Sequence, residues 1–377
     1  MNEFDFIRAL REQTQSRKHS ARVVSGIGDD AALIAQTAGR DLVVTTDLLI
    51  EGVDFRRDSA PPRLLGQKAL AVSLSDIAAM GARPFWSFVS IGMPRDVWQD
   101  DFKDEFFAGY LELADQYGVT LTGGDVSEAK AGIAIDSIVL GEVGTGAAIL
   151  RSGAKVGNHI YVTGTLGGAS AGLKLIEMGA RLGASGLASL PRAGARSTSM
   201  KSVPGAVATG SLSPTVTERV DDQVHTSETD AIESLLLRQL RPSPRVGWGI
   251  ILGDESLATG MIDISDGLSS DLAHLCNESN VGALIQSAQI PIDKDVIRLC
   301  GRRALDPLSL ALHGGEDFEL LFTVSPADAA RLPKRVDGVT VTHIGEVTDQ
   351  PGKIRIAEKN RVWDLPPQGF EHFKRSV

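Results

Sequence analysis

Gly26-Ile27-Gly28-Asp29-Asp30-Ala31 is the stretch from which the fold and chemistry of this chain follow most directly. Two adjacent carboxylates lie in a glycine turn, and no Lys or Arg lies within it. Adjacent carboxylates repel each other and resist burial unless a cation pairs with them. The natural partner is a hard divalent cation with oxygen ligands, Mg²⁺ first. We therefore expect acids elsewhere in the chain to join this turn in one cluster.

Acids at the ends of apolar segments are the candidates for that cluster. Asp47 ends a predicted buried strand over 41–47, and Asp125 ends another over 119–125. Asp76 lies near the end of a predicted helix over 62–80, where the helix dipole disfavours an anion. Asp263 and Asp266 follow an apolar segment that starts at 260, and Thr45, Thr46, Ser75 and Ser265 add neutral oxygens. Each acid alone is readily explained as a turn former or solvated loop residue, but the whole set predicts a shared site.

Composition bounds the class of protein. The 377 residues predict two domains, and 42% hydrophobic with 23% charged residues is ordinary for a globular protein. The net charge of -10 argues against a general nucleic-acid binder. No signal peptide is recognised after the acidic N-terminus, and no apolar run approaches the roughly 20 residues that a membrane helix needs. Cys276 and Cys300 can pair, but we expect two buried thiols in a reducing cytoplasm.

The alternation of elements predicts an α/β (α+β) protein. Further strands are predicted at 86–91, 133–143, 159–164, 283–290, 318–324 and 339–347. Further helices are predicted at 99–117, 170–179, from Glu228 onward and at 268–277. The pattern breaks near Arg151, which divides the chain into an N-terminal domain (1–150) with a mixed sheet and a C-terminal α/β domain (151–377). Residues 184–228 lack periodicity and are predicted to be a disordered surface insertion.

Such a cluster of acids suits phosphate chemistry. A nucleoside triphosphate and a phosphorylated acceptor together carry roughly five to six negative charges, which must be neutralised for in-line transfer. No Gly-x-x-x-x-Gly-Lys-Ser/Thr loop occurs, and residues 26–31 match a dinucleotide fingerprint only formally, with carboxylates where the pyrophosphate would lie. Arg151 is equally well explained as a phosphate contact or a surface charge. No Ser/His/Asp or Cys/His set is recognised, so we expect direct transfer without a protein nucleophile.

These motifs, taken in order, resemble the thiamine-monophosphate kinases, of the ATP-binding superfamily of aminoimidazole ribotide synthetase. The matching segments are 26–31 (Gly-Ile-Gly-Asp-Asp-Ala), 45–47 (Thr-Thr-Asp), 68–82, 123–125 (Gly-Gly-Asp), 151–154 (Arg-Ser-Gly-Ala), 263–268 and 314–320. The resemblance covers nearly the whole chain except 184–228. It implies transfer of the ATP γ-phosphoryl group to thiamine monophosphate, several Mg²⁺ ions, and a homodimer with nucleotide near the subunit interface.

The resemblance also implies roles for individual residues. Metal ligands are implied at Asp30, Thr45, Thr46, Asp47, Asp76, Asp125, Asp263 and Asp266. Nucleotide contacts are implied at Gly124, Asp125, Arg151 and Ser265, with Phe107 near the adenine. Glu316 is implied on the thiamine side, and either Pro367 or Phe370 faces a thiamine ring unless both pack in the core. Asp54 stands where family members often have His, and an anion there cannot donate directly to a substrate phosphate.

The rival enzymes of the superfamily match less well. A selenophosphate synthetase needs a reactive Cys before the first glycine turn, and a hydrogenase-maturation dehydratase needs a C-terminal Cys; this chain has neither. Aminoimidazole ribotide synthetase stays open on fold, and a nucleotide-binding scaffold without turnover is the alternative from another class.

Overall fold

The computed structural model describes residues 3–15, 22–25, 27, 33–182, 188–189, 216–303 and 305–370. Asp29 and Asp30 therefore lie outside the described residues, as does most of the predicted insertion. Helix α1 (Glu3–Gln15) comes first, and strands β1 (Val23–Ser25) and β2 (Leu33–Ile34), which precede and follow residues 26–32 in the sequence, pair antiparallel. Within the described residues, no helix combines the length and apolarity that crossing a membrane requires.

The N-terminal half is a four-stranded sheet with two long helices on one face. Its elements are β3 (Arg40–Ile50), α2 (Pro62–Ala79), β4 (Arg83–Met93), α3 (Arg95–Gln99), α4 (Phe102–Tyr117), β5 (Thr120–Glu128) and β6 (Ala134–Gly144). The strand order is β3-β6-β4-β5, and only β4 and β5 run parallel. Helices α2 and α4 cross at two glycines, because a Cβ on Gly66 would lie 1.9 Å from the Phe106 carbonyl oxygen and one on Gly109 would lie 1.8 Å from that of Arg63. The two helices therefore lie close together, and α2 also packs against β3, β4 and β6 of the sheet.

The two faces of this sheet have different surroundings. Asp47 lies opposite Ser137 on the face that packs against α2, which we call the covered face. On the other face, which we call the open face, one row crosses all four strands: Leu48, Asp136, Ser90 and Asp125. Because strand side chains alternate between faces, neighbours in sequence here belong to different environments.

The C-terminal half is built around an eight-stranded sheet. After a 3₁₀ turn at Arg151–Gly153, its elements are β7 (His159–Thr163), α5 (Gly168–Glu177), β8 (Arg181–Leu182), β9 (Ala188–Ser189), α6 (Val216–Leu240), α7 (Val246–Asp254), β10 (Ala258–Asp263), α8 (Leu268–Glu278), β11 (Gly282–Gln286), α9 (Lys294–Arg303), α10 (Pro307–His313), β12 (Leu320–Val324), β13 (Arg335–Val336), β14 (Val339–Thr348), β15 (Ile354–Glu358) and β16 (Arg361–Asp364). The order is β10-β12-β7-β14-β11-β15-β16, with β13 paired to β14. Only β11 and β15 run parallel. The predicted α/β class with a mixed N-terminal sheet is confirmed.

Several element boundaries differ from the predictions. The helix predicted over 99–117 is broken, because the Asp100 carboxylate accepts a hydrogen bond (2.8 Å) from the Asp101 amide and competes with helical bonding. The strand predicted over 283–290 stops at Gln286 and turns into a 3₁₀ helix. Helix α6 begins at Val216 rather than at Glu228, so it overlaps the end of the predicted insertion, whose disorder stays a prediction.

Helix α7 was not predicted, because it is apolar on every side and shows no helical period. It packs against α2 so closely that a Cβ on Gly249 would lie 2.3 Å from the carbonyl oxygen of Ala78. Trp248 and Leu252 share one hydrophobic core with Ala78 and the rest of α2. The proposed boundary near Arg151 stays a prediction, but α2 clearly contacts both halves.

Candidate active site

Three predicted acids come together where α2 meets both sheets. Asp47 comes from the covered face of β3, Asp76 from the end of α2, and Asp263 from the end of β10. Burial, followed by repulsion from Asp76, raises the pKa of Asp47 to about 6. Burial, followed by repulsion from Asp76 and Asp47, raises the pKa of Asp263 to about 7. The pKa of Asp76 is raised as well, chiefly by burial. The three carboxylates are therefore close enough to interact electrostatically.

Hydroxyl groups hold each of the three acids. On α2, Ser73 donates to Asp47 (2.7 Å) and Ser75 donates to Asp263 (2.7 Å). Thr45 donates to Asp76 from the neighbouring strand. Since Ser73, Ser75 and Asp76 all lie in the last two turns of α2, this helix sets the spacing of the acids.

A further buried acid, Asp271, was missed by the sequence analysis. Its side chain is 1% exposed and accepts hydrogen bonds from the amides of Asp266 (3.1 Å) and Gly267 (3.0 Å). Burial, then repulsion from Asp263 and Asp266, raises its pKa to about 8. The signal was present, because an acid in the first turn of a helix commonly reaches back to the preceding amides. Asp47, Asp76, Asp263, Asp266 and Asp271 are called the acid cluster below.

Thr46 and Asp125 do not point into the acid cluster. Both belong to the open face, where the Thr46 hydroxyl donates to Asp136 (2.7 Å) and Asp125 is exposed. The alternation of side chains along β3 separates Thr46 from Thr45 and Asp47, which the sequence analysis had grouped together. The expectation that all these side chains converge is thus corrected, and a ligand role for Thr46 and Asp125 stays a prediction. Asp30 lies outside the described residues.

The acid cluster suits a divalent cation that also binds substrate phosphates. Among the described residues, no three His, Cys, Asp or Glu side chains are close enough to form a metal cage by themselves. Mg²⁺, however, usually takes one or two carboxylates and completes its shell with water and phosphate oxygens. Arg151 lowers the pKa of Asp76 and Asp263, but burial outweighs it at both sites. Buried carboxylates with so little protein cation nearby fit an added metal ion.

The remaining nucleotide candidates differ in how accessible they are. Arg151 is exposed in the 3₁₀ turn, within electrostatic range of Asp76 and Asp263. Gly124 is exposed, and a Cβ there would lie 2.0 Å from the Val89 carbonyl oxygen, so glycine is needed for β5 to approach β4. Phe107 is only 3% exposed and packs against Phe6 (ring centroids 5.2 Å apart), so both its burial and this contact favour a core residue. Its predicted adenine contact would require the ring to be uncovered.

The substrate candidates lie in two places. Phe370 is 54% exposed, and its amide donates to the Asp266 carbonyl oxygen (3.2 Å), so the C-terminal segment runs beside the acid cluster. Pro367 is exposed on the same segment, and neither residue packs in the core. Asp54 accepts a hydrogen bond from the Ile50 amide (2.7 Å), which assigns one of its oxygens to the turn after β3.

Glu316 lies in a turn that is tied to Ser265. Its backbone has a φ of 65°, in the left-handed region, and its amide donates to the Ser265 carbonyl oxygen (2.8 Å). Its carboxylate contacts Lys68 and Gln239, two residues that the sequence analysis did not single out. The only sequence signal for Lys68 was a charge beside the apolar run 69–72 of α2.

Comparisons with known protein families identify the class of protein to which this chain belongs. A family model described as AIR synthase related protein, N-terminal domain, matches residues 28–143, and the corresponding C-terminal domain matches residues 229–357. The two matches cover more than half of the chain, which makes this a two-domain protein of the AIR synthase related type.

The particular family follows from full-length relatives. Thiamine-monophosphate kinase of Escherichia coli K12 is 33% identical, with 98% of each chain covered. The crystal structure of thiamine-monophosphate kinase from Stenotrophomonas maltophilia K279a has a TM-score of 0.73 and 34% identity, covering 94% of this chain and 96% of that one. AaThiL complexed with AMPPCP and TMP has a TM-score of 0.68 and 27% identity, covering 98% and 97%. The chain belongs to the thiamine-monophosphate kinase family.

Proposed function

We propose that this protein transfers the γ-phosphoryl group of ATP to thiamine monophosphate, giving thiamine diphosphate and ADP. The observation that carries the proposal is the acid cluster, in which Asp47, Asp76 and Asp263 come from separate elements and each accepts a hydrogen bond from its own hydroxyl group on α2 or β3. Relatives with the same full-length architecture are thiamine-monophosphate kinases, and AaThiL was solved with AMPPCP and TMP.

Charge is the central problem in this reaction. The two substrates together bring roughly five to six negative charges to one place, and this must be offset before one phosphate attacks another. The acid cluster would hold Mg²⁺ through Asp47, Asp76, Asp263 and Thr45, with Asp266 and the predicted ligand Asp30 as further contributors. Bound there, several Mg²⁺ ions neutralise phosphate oxygens and orient the γ-phosphoryl group. Thr46 and Asp125 stay predicted ligands, but they lie on the open face and would act outside the acid cluster.

The protein's own residues bind and orient the reactants. A phosphate oxygen of thiamine monophosphate attacks the γ-phosphorus in line, and the bond from that phosphorus to the β,γ-bridging oxygen breaks as ADP leaves. The attacking oxygen already carries negative charge, so no side chain has to remove a proton. Arg151, which is exposed in the 3₁₀ turn, and Ser265 are proposed to contact the nucleotide phosphates. Phe370 and Glu316 are proposed to contact the acceptor, and the support is that their amides bond to the carbonyl oxygens of Asp266 and Ser265.

A homodimer completes the proposal. Leu42, Val44 and Leu48 on the open face are 42%, 57% and 60% exposed. A row of apolar side chains on one sheet face is a typical site of self-association. We propose that two open faces pack together, which would bring Asp125 and Thr46 close to the second subunit. Val44→Asp should then halve the mass measured by light scattering, whereas Leu173→Asp, at a 41% exposed leucine on α5, should not. A Val44→Asp protein of unchanged mass would count against this interface.

Two smaller assignments belong to the same proposal. We assign residues 1–150 to the nucleotide and metal domain and 151–377 to the second domain. We also expect the protein to act in the cytoplasm, because the two described cysteines are free, buried thiols of the kind that a reducing compartment preserves.

The activity is tested by incubating the protein with ATP, Mg²⁺ and either thiamine monophosphate or free thiamine. We expect thiamine diphosphate and ADP from thiamine monophosphate only, and no product after the metal is chelated. Thiamine diphosphate formed from free thiamine, with release of AMP, would instead identify a pyrophosphokinase. Absence of product from both acceptors, with nucleotide still bound, would indicate a scaffold or another AIR synthase related activity.

A further inference from the structure

Lys68 is a buried lysine of α2 whose partner lies in the other half of the chain. Its side chain is 4% exposed, and Nζ lies 2.6 Å from a carboxylate oxygen of Glu316. Its helical neighbours Leu65 and Ala69 are 1% and 0% exposed. Because a buried ammonium is costly unless it is paired, this contact explains how a lysine is tolerated in the apolar interior of α2.

Glu316 is held on both carboxylate oxygens. Lys68 contacts Oε1, and the side-chain amide of Gln239 in α6 donates to Oε2. The backbone of the turn is fixed as well, because the amides of Glu316 and Phe318 donate to the carbonyl oxygens of Ser265 (2.8 Å) and Ile264 (2.9 Å). The turn is thereby attached to the segment that carries Asp263 and Asp266, so Glu316 has a defined position relative to the acid cluster.

The acids that follow Glu316 in this turn have partners within their own half of the chain. Asp317 accepts hydrogen bonds from the amides of Gly167 (2.6 Å) and Ala169 (3.1 Å), and Glu319 pairs with Arg245. All of these groups belong to the C-terminal half. Glu316 instead takes its cation from α2, the helix that also carries Ser75 and Asp76 about 12 Å further along its axis. One helix therefore contacts both the acid cluster and Glu316.

We infer that Lys68 is a positioning residue for the acceptor substrate and acts through Glu316. This inference rests on the proposed function, in which Glu316 faces the thiamine. At 4% exposure Lys68 has no access to a substrate, whereas the Glu316 side chain is 29% exposed and is free to present its carboxylate edge to the cationic thiamine. Lys68 thus fixes where the acceptor's ring binds relative to the phosphoryl group that Asp76 and Asp263 help to orient.

The test compares Lys68→Met with Lys68→Arg in steady-state kinetics. We expect Lys68→Met to raise KM for thiamine monophosphate by about tenfold or more, because an unpaired Glu316 leaves its position. The KM for ATP should stay within about twofold and kcat within about threefold. Lys68→Arg, which keeps the charge, should recover most of the loss. Lys103→Met is the matched control, since Lys103 is a similarly buried lysine (7% exposed) that pairs with Asp104 of its own helix rather than with Glu316.

A double-mutant cycle with Glu316→Gln separates positioning from a general structural role. If Lys68 acts through Glu316, the double variant should have the same KM for thiamine monophosphate as Glu316→Gln alone. Additive effects, or equal increases in both KM values, would overturn the inference while leaving the proposed function intact. A wild-type protein inactive on thiamine monophosphate would overturn both. Should Lys68→Met not fold, Gln239→Leu tests the same restraint on Oε2, and an unchanged acceptor KM there would also contradict it.

Discussion

Two groups of buried carboxylates in this molecule differ in what balances their charge. Glu319 is fully buried, but Arg245 pairs with both of its oxygens and Arg238 lies 3.4 Å away. The acid cluster is also largely buried, with Asp263 3% exposed, yet its members face one another and hydroxyl groups. A buried charge requires a partner, and Glu319 has its partner within the folded chain. Under the proposed function, bound Mg²⁺ is the partner of Asp47, Asp76 and Asp263. The comparison thus contrasts an acid paired within the fold with acids proposed to take part in the reaction.

The largest effect that tests this comparison should come from Asp263→Asn or Asp47→Asn. We expect turnover with ATP and thiamine monophosphate to fall by at least about 10³-fold, because each change removes a charged metal ligand. The free energy of unfolding should be unchanged or higher, since repulsion between buried carboxylates is relieved. Asp328→Asn, at a half-buried acid that pairs with Arg331 rather than with the cluster, is the control. A cluster variant that unfolds readily but keeps its turnover would reverse the interpretation.

In contrast to the acid-cluster variants, Arg245→Met should lower the free energy of unfolding. It leaves Glu319 buried without its main cation, and breaking a buried ion pair from one side costs about 3–5 kcal/mol of unfolding free energy. Arg331→Met, at an exposed arginine 2.8 Å from Asp328, should cost no more than about 1 kcal/mol. Urea denaturation measures both. If Arg245→Met/Glu319→Gln does not recover part of the lost stability, the pair is not what compensates Glu319.

The sequence predicted which acids matter better than it predicted where their side chains point. Asp47 and Asp263 were found because they end apolar strands, and Asp76 because an acid at a helix C-terminus needs a reason. Thr46 was assigned to the same cluster although the alternation of side chains along one strand already separates it from Thr45 and Asp47. The face of Asp125 relative to that cluster depends on strand pairing, which the sequence does not show. The register places Asp125 beside Ser90 on the open face.

The sequence did not predict contacts between residues that are far apart in the chain. Nothing local links Lys68 to Glu316 or Arg245 to Glu319, because only the packing of α2 and the two sheets brings them together. Helix α7 was also missed, since a helix that is apolar on all sides has no amphipathic period. Asp271 and Lys68 could have been found in the sequence. Asp271 is an acid in the first turn of a helix, and Lys68 is a charge beside an apolar run.

Asp317 is intermediate between the two groups and gives the smallest expected effect. Burial raises its pKa to about 6, although Arg238 and the amides of Gly167 and Ala169 oppose the shift. The folded protein therefore keeps a proton on Asp317 at a pH where the unfolded chain has already lost it. Stability linked to this group is present below the unfolded pKa of 3.8 and is lost as the pH rises towards 6. The two pKa values correspond to at most about 3 kcal/mol.

The measurement for Asp317 is the pH dependence of unfolding free energy between pH 4 and pH 7 in the wild type and in Asp317→Asn. Asp47, Asp263 and Asp271 also have raised pKa values, so both proteins should lose stability as the pH rises. The wild type should lose more, and the difference between the two curves isolates Asp317. Parallel curves would mean that Arg238 and the two amides balance the Asp317 charge fully, as Arg245 does for Glu319. In that case Asp317 would belong with the acids whose charge is already balanced within the folded chain.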